Sequence, residues 1–227
     1  MLDPYTREGR IMTAALACAG ETSWSKVTLI DIAEGAELPL SELRAEFATK
    51  TDIIAALLRT VDDEVMKRTV KRTEGQEKRD LLFDIIMTRF DVLAPHKAAL
   101  KSIHDSGGAD FALAGPYLSS QHWMLQAAGI DTSGPGGAMR VAGLVGIYAS
   151  VFRTWLEDDD PGQARTMAAL DRRLRRGERT LRQVEGVASA VRQFANAAPA
   201  LLKRLGEVAR QGAPKAEPTS GAEDPKI

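Results

Sequence analysis

VTLIDIAEGAELPLSELRAEFATKTDIIAAL, residues 27–57, decides the fold. Thr28 is a good N-cap, and Asp31 three places on stands where a capping box puts its carboxylate, so a helix is expected over Leu29–Ala36. Glu37-Leu38-Pro39 makes a tight turn into a second short helix, Leu40–Phe47, with Ser41 as its cap. Thr49 or Thr51 then caps a longer helix reaching about Lys71, in which Ile53, Ile54, Leu57, Leu58, Val61 and Val65 form a core-facing stripe. This layout is that of a DNA-reading helix-turn-helix, whose second helix enters the major groove. The polar side chains of that helix are Ser41, Glu42, Arg44 and Glu46. Two carboxylates would thus face a polyanion with one charge per about 1.7 Å of axis.

Helices are expected outward from this stretch in both directions. Arg7–Ala19 carries Ile11, Ala14, Ala15 and Cys18 at helical spacing and should end at Gly20, since glycine adopts the left-handed C′ conformation cheaply. The polar run Thr73–Arg79 marks a boundary. Beyond it, Asp80–Ala94 has a wide apolar arc of Leu82, Phe83, Ile86, Met87, Phe90 and Leu93, stopped by Pro95. His96–His104 and Leu113–Ala128 follow, then a loop over Asp131–Gly137. Ala138–Leu156 is the most apolar helix, thinned on one side by Gly143, Gly146 and Ala149 for close packing. Glu157–Pro161 breaks the chain before Ala164–Arg176. Four segments result: residues 1–72, residues 73–176, an amphipathic helix over 177–211, and a Pro/Gly/charge-rich tail, 212–227, expected to be disordered.

The fold class is therefore all-α. With 227 residues there is length for a substantial core, aromatics are only 5%, and strand-like alternation is absent. A net charge of −1 provides no overall attraction to nucleic acid, membrane or acidic substrates. The charge is unevenly spread: residues 1–60 hold 6 bases and 9 acids, residues 171–210 hold 10 bases and 4 acids. The helix-turn-helix is the acidic end. A single cysteine suits a reducing compartment, the N-terminus lacks the basic start and apolar core of a signal peptide, and Val141–Phe152 is too short to span a bilayer, which needs about 20 residues. These features suit a cytoplasmic protein, with peripheral attachment to the membrane open.

Catalytic chemistry finds no support. His96, His104 and His122 show no metal-ligand spacing, Cys18 has no basic neighbours to activate it, and no glycine-rich phosphate loop follows a strand. No enzyme activity, cofactor or metal is implied. Two apolar sets carry alternative readings. Phe83, Met87, Phe90, Trp123, Met124, Tyr148, Phe152 and Trp155 either fill a core or line a lipid cavity. Val187, Val191, Phe194, Ala198, Leu201, Leu205 and Val208 form a heptad-like stripe beside Arg182, Arg192, Lys203, Arg204 and Arg210. That stripe either packs on protein or lies on anionic lipid, with Val187, Val191, Phe194, Leu201 and Leu205 as the membrane contacts.

Two resemblances bear on these choices. The paired alanines of the first helix, Val27-Thr28-Leu29 leading to Ile32-Ala33, then Leu43 and Phe47-Ala48-Thr49-Lys50, resemble the TetR family of one-component repressors. The resemblance implies phosphate contacts from Thr28 and Lys50 and, on the reading helix, DNA contacts from Ser41 and Arg44. Where that family has an aromatic followed by a basic residue or histidine, this chain has Arg44, Ala45 and Glu46. The second resemblance covers about residues 80–176. Arg89 to Leu93 with Pro95, Ala128-Gly129, Gly146-Ile147-Tyr148-Ala149-Ser150, the break Asp158 to Pro161 and the ending Leu170 to Leu174 are similar to the lipid-binding accessory protein of ubiquinone biosynthesis, the ninth Coq protein, itself TetR-like in fold. That family has aromatics directly before its Ala-Gly pair, where this chain has Leu125, Gln126 and Ala127. The second resemblance implies an isoprenoid or quinone-like lipid in an apolar cavity, a quinone-synthesis hydroxylase as partner, and a membrane-touching C-terminal helix.

The expectation favoured by the acidic reading helix is a homodimeric lipid-binding accessory protein of ubiquinone synthesis, with DNA a doubtful partner. The alternative is a ligand-responsive TetR-type repressor.

Overall fold

The computed structural model describes residues 2–69, 75–107 and 113–180, and in these the chain is helical without a strand. Met1–Glu178 forms one compact unit and Arg179–Ile227 a second, of which only Arg179 and Thr180 are described. The boundary expected at residues 72 and 73, the stripe of Val187, Val191, Phe194, Leu201 and Leu205, and the tail from 212 lie outside the described residues. Among those that are described, no helix is long and apolar enough to cross a membrane.

The first four helices follow local signals closely. α1 (Arg7–Glu21) starts on Thr6, whose side chain accepts from the Gly9 amide. A Cβ at Gly9 would lie 1.9 Å from the Asp3 carbonyl oxygen, so the chain crosses itself there only because the residue is glycine. The helix does not stop at Gly20. It runs on to Glu21 and closes on extended Thr22, whose amide donates to Cys18 O at 2.9 Å, so no left-handed residue is needed. α2 (Leu29–Gly35) opens on the expected Thr28–Asp31 capping box, and α4 (Lys50–Arg68) on a second, Thr49–Asp52. α3 (Leu40–Glu46) differs from expectation at its start: Pro39, not Ser41, is the N-cap, because its carbonyl already accepts from Glu42 and Leu43 and Ser41 sits inside the first turn. Ile11, Ile32 and Leu43 are each 0% exposed where α1, α2 and α3 meet. Each contributes about 1.5–3 kcal/mol of burial.

The turn between α2 and α3 holds Glu37 at a φ of 53°, a left-handed conformation that glycine adopts without strain. Its carboxylate lies 3.8 Å from Arg10 and is 90% exposed, so the ion pair is weak. Glu37→Gly is therefore expected to stabilise the fold by about 0.5 kcal/mol, the strain relieved exceeding glycine's chain-entropy cost. Urea unfolding checks this; a lower midpoint for the glycine variant would refute the strain argument.

The larger part is built from α5 (Lys78–Leu93), α6 (Lys97–Asp105), α7 (Ala114–Ala127), α8 (Gly134–Leu156) and α9 (164–180). Pro95 does not break the chain: it enters a single 3₁₀ turn, Ala94–His96, that carries α5 directly into α6. The loop expected over Asp131–Gly137 is shorter, because α8 begins at Gly134. Pro135 fits the first turn, where its missing N–H costs nothing, and a Cβ at Gly137 would meet the Thr132 carbonyl carbon at 2.0 Å. α1 packs on α6, α4 on both α5 and α7, and α7 on α8. α1, through α6, and α4, through α5 and α7, thus join the N-terminal helices to the body.

Candidate nucleic-acid interface

The charge of α3 is disposed differently from what its composition suggested. A helix turns once in about 3.6 residues. Leu43 and Phe47 fill the side that faces the core, while Ser41, Arg44 and Ala45 are exposed. Glu42 and Glu46, one turn apart, lie on the flank toward α1. There Arg7 meets both, its Nε 3.2 Å from Glu42 Oε2 and its Nη1 3.9 Å from Glu46 Oε1. The two acids, still partly exposed, are thus paired with a surface cation of the same chain. Such exposed pairs add little stability, but they fix where the negative charge points.

Two further cations from neighbouring elements set the frame. Arg10 donates from α1 to the carbonyls of Ala36 and Glu37, clamping the turn before α3. Lys50 Nζ donates to the carbonyls of Trp24 and Val27, each at 2.7 Å, and sits 4.5 Å from the Trp24 ring centroid. Burial pushes the Lys50 pKa down, with Asp31 opposing. Two of its three N–H donors are committed to the backbone. Thr28 is similarly engaged: its hydroxyl donates to Asp31 Oδ2 at 2.8 Å and accepts from the Asp31 amide at 3.2 Å. Those bonds from Thr28, backbone N–H foremost, hold the Asp31 carboxyl below its usual range. Of the four residues expected at DNA, Ser41 and Arg44 present themselves outward, and Thr28 and Lys50 also serve the local fold.

Inside the body lies a polar cluster that sequence reading missed. Arg89, only 1% exposed, donates from Nε to Tyr148 Oη at 3.0 Å and from Nη1 to Asp62 Oδ1. Ser120 Oγ donates to Asp62 Oδ2 at 2.6 Å. Burial works against the Arg89 charge, yet Tyr148 and Asp62 together hold its pKa above the ordinary value. For Tyr148 burial dominates and pushes the phenol up. A signal was available: Arg89 falls on the Leu82–Ile86–Leu93 stripe of α5, a position where a solvated arginine has no place.

The eight residues of the expected cavity are not gathered on one wall. Phe90 stacks on Tyr148 and Trp155 with centroids 5.6 and 5.3 Å apart, and Phe152 stacks on Tyr148 and Trp155 at 5.9 and 5.5 Å. Met124 is buried on α7 and Met87 half-buried against the same core. Phe83 instead lines a separate groove of about 350 Å³ between α5 and α9, alongside Arg79, Asp84, Met167 and Asp171. Trp123 is 52% exposed and belongs to neither. The thinned side of α8 also departs from expectation. Gly143 and Gly146 are exposed and a Cβ on either would touch nothing within 4 Å, so close packing there is not made among the described residues.

No protein-family model matches this sequence, and no curated protein matches it. Solved structures do. A TetR transcriptional regulator from Nitrosomonas europaea ATCC 19718 is similar at 22% identity and a TM-score of 0.61, over 76% of this chain and 98% of that one. A second, from Rhodococcus sp. RHA1, gives 18% and 0.58, over 75% and 94% of the two chains. A TetR-family regulator from Streptomyces coelicolor gives 17% and 0.53, over 88% and 99%. These neighbours overturn the expectation of a lipid-binding accessory role in ubiquinone synthesis: they are transcriptional regulators, and the resemblance of residues 80–176 to the ninth Coq protein is not reproduced among them. The physical ground for preferring that role also goes, since it rested on Glu42 and Glu46 facing DNA, and both face Arg7. The architecture is all-α and TetR-like.

Proposed function

We propose that this chain is a ligand-responsive transcriptional regulator that acts as a homodimer and reads DNA with α3. The observation that carries the reading is the pairing of Arg7 with Glu42 and Glu46, which offsets their charge on an exposed face that also presents Ser41, Arg44 and Ala45. Arg44 can bond a base edge, Ser41 is short enough for close approach, and exposed Lys26, just before α2, is free to meet phosphate, whereas the Thr28 hydroxyl proton is held by Asp31. Regulators of this architecture read paired half-sites, which a dimer supplies. The exposed side of α8, with Gly143, Gly146 and Ala149, suits a self-complementary contact in which two backbones approach closely.

Mobility shift against the DNA upstream of the protein's own gene, read at two salt concentrations, tests this. With so few outward cations the salt dependence should be shallow, each phosphate contact adding about −0.9 to the slope of log K against log salt. Arg44→Ala is expected to lower specific affinity by about 1–3 kcal/mol while changing nonspecific binding little. Arg7→Ala should weaken both, since it releases two carboxylates beside the groove. Absence of specific binding even at low salt, or an Arg44→Ala protein that binds as well as the parent, refutes the reading.

A further inference from the structure

Asp62, Arg89, Ser120 and Tyr148 come from α4, α5, α7 and α8, and they meet where these four helices converge. Stability alone does not call for such a cluster, because an apolar set of similar volume is often as stable as a buried ion pair. The two charged partners are also unequal. The Arg89 side chain is 1% exposed and that of Asp62 14% exposed. A small shift of α4 would return Asp62 to water, whereas Arg89 has no such route and must keep an anion. α4 is the helix that starts at Lys50, whose ammonium holds the Trp24 and Val27 carbonyls of the N-terminal unit. A ligand that takes over the guanidinium therefore acts on one of the two helices that join the reading unit to the body.

We propose that Arg89 anchors an effector consisting of a carboxylate on an apolar body, and that this carboxylate replaces Asp62 on the guanidinium and frees α4; its consequence for DNA rests on the regulator reading above. The surroundings supply the remaining contacts. Ser120 Oγ passes from Asp62 to the incoming carboxylate, and Tyr148 Oη continues to accept from Arg89 Nε. Gln121 is 2% exposed, and its Oε1 has no hydrogen-bond partner among the described residues. It lies one turn from Tyr117 on α7, an unused acceptor for a hydroxyl or N–H on the ligand. Tyr117 is 37% exposed and close enough to interact electrostatically with Arg89, so its side chain stands between the anchor and solvent. Phe90 and Tyr148 are buried and stacked on one another, so half-buried Phe152 is the ring of this layer that the apolar body meets. A neutral ligand cannot make this exchange, because it would displace Asp62 and leave a buried guanidinium without its counter-charge.

The test compares benzoate, phenylacetate and octanoate with their neutral amides on the full chain, by thermal shift and then calorimetry. The acids should raise the melting temperature and the amides should not. Asp62→Asn removes the competing charge and is expected to bind the acids at least tenfold more tightly, and to bind DNA at least tenfold more weakly without any ligand. Arg89→Gln should lose acid binding tenfold or more, with partial recovery in Arg89→Lys. Equal shifts from acids and amides, or unchanged acid affinity in Asp62→Asn, overturn the anchor; if Asp62→Asn fails to fold, Arg89→Gln and the acid–amide comparison on the parent protein decide. Acid binding of this pattern by a protein that binds no DNA sustains the anchor and overturns the regulator. Specific DNA binding indifferent to the acids and to Asp62→Asn sustains the regulator and overturns the anchor.

Discussion

Replacing Asp62 by alanine is expected to cost the fold about 3–5 kcal/mol, well above the usual effect of a single substitution. The cost comes from what is left behind. Arg89 stays buried and charged with only Tyr148 Oη to bond, and Ser120 Oγ loses its carboxylate acceptor. The converse change should be milder. Arg89→Met removes the buried charge itself, while Asp62 keeps Ser120 and its partial access to water, so about 1–3 kcal/mol is expected. Removing both, as Asp62→Leu with Arg89→Met, should recover most of the loss, because neither charge is then stranded. Urea unfolding of the three proteins gives the cycle directly. Equal costs for the two single changes, summing in the double, would show that the pair is not coupled as the geometry requires.

The second large effect is expected at Trp155. Its ring is 1% exposed, stacked on Phe90 and Phe152, with the Lys97 ammonium 5.3 Å from its centroid. Lys97 also donates to the Asp158 carbonyl, tying the end of α8 to the start of α6. Trp155→Ala should cost about 3–5 kcal/mol, the sum of lost transfer energy and an unfilled hole. At about 2–4 °C per kcal/mol for a protein of this size, the melting temperature should fall by about 6–20 °C. Phe152→Ala, at a half-buried ring, should cost visibly less. The comparison discriminates a ring layer packed on itself from rings lining an empty space: if Trp155→Ala proves cheap, the rings are not mutually supporting and the space beside them is real.

How much of this was legible in the sequence depended on the range of the interaction. The Thr28–Asp31 capping box was readable because its residues lie three apart and act through adjacent backbone, while for α4 the reading stopped at a cap on Thr49 or Thr51 and left the Thr49–Asp52 box to the structure. The stripe of α4 was readable for the same reason. Glycine was the unreliable signal. Gly20 does not end α1, since Thr22 closes the last turn in extended form. The run Gly134–Gly137 is the first turn of α8 rather than loop, and Gly137 answers a backbone crossing at Thr132 that only the folded chain contains. The sites that matter most were written in pairs too distant to match by eye. Arg89 bonds residues 27 and 59 positions away, and Arg7 reaches Glu42 across the whole N-terminal unit. For that reason the acids of α3 were readable as residues but not as partners, and the weight they seemed to carry against DNA was misplaced.

The Lys50 ammonium lying against Trp24 has a use of a different kind. The chain has 3 tryptophans, and the fold places each in its own surroundings. Trp24 is nearly buried under a cation at the N-terminal unit, Trp155 is sealed among rings in the body, and Trp123 looks into solvent. Iodide in solution should quench the third strongly and the other two hardly at all. Single-tryptophan versions of the protein would then emit separately from the N-terminal helices and from the core. Movement of α4 on binding could be followed as light from Trp24, in real time and without a label.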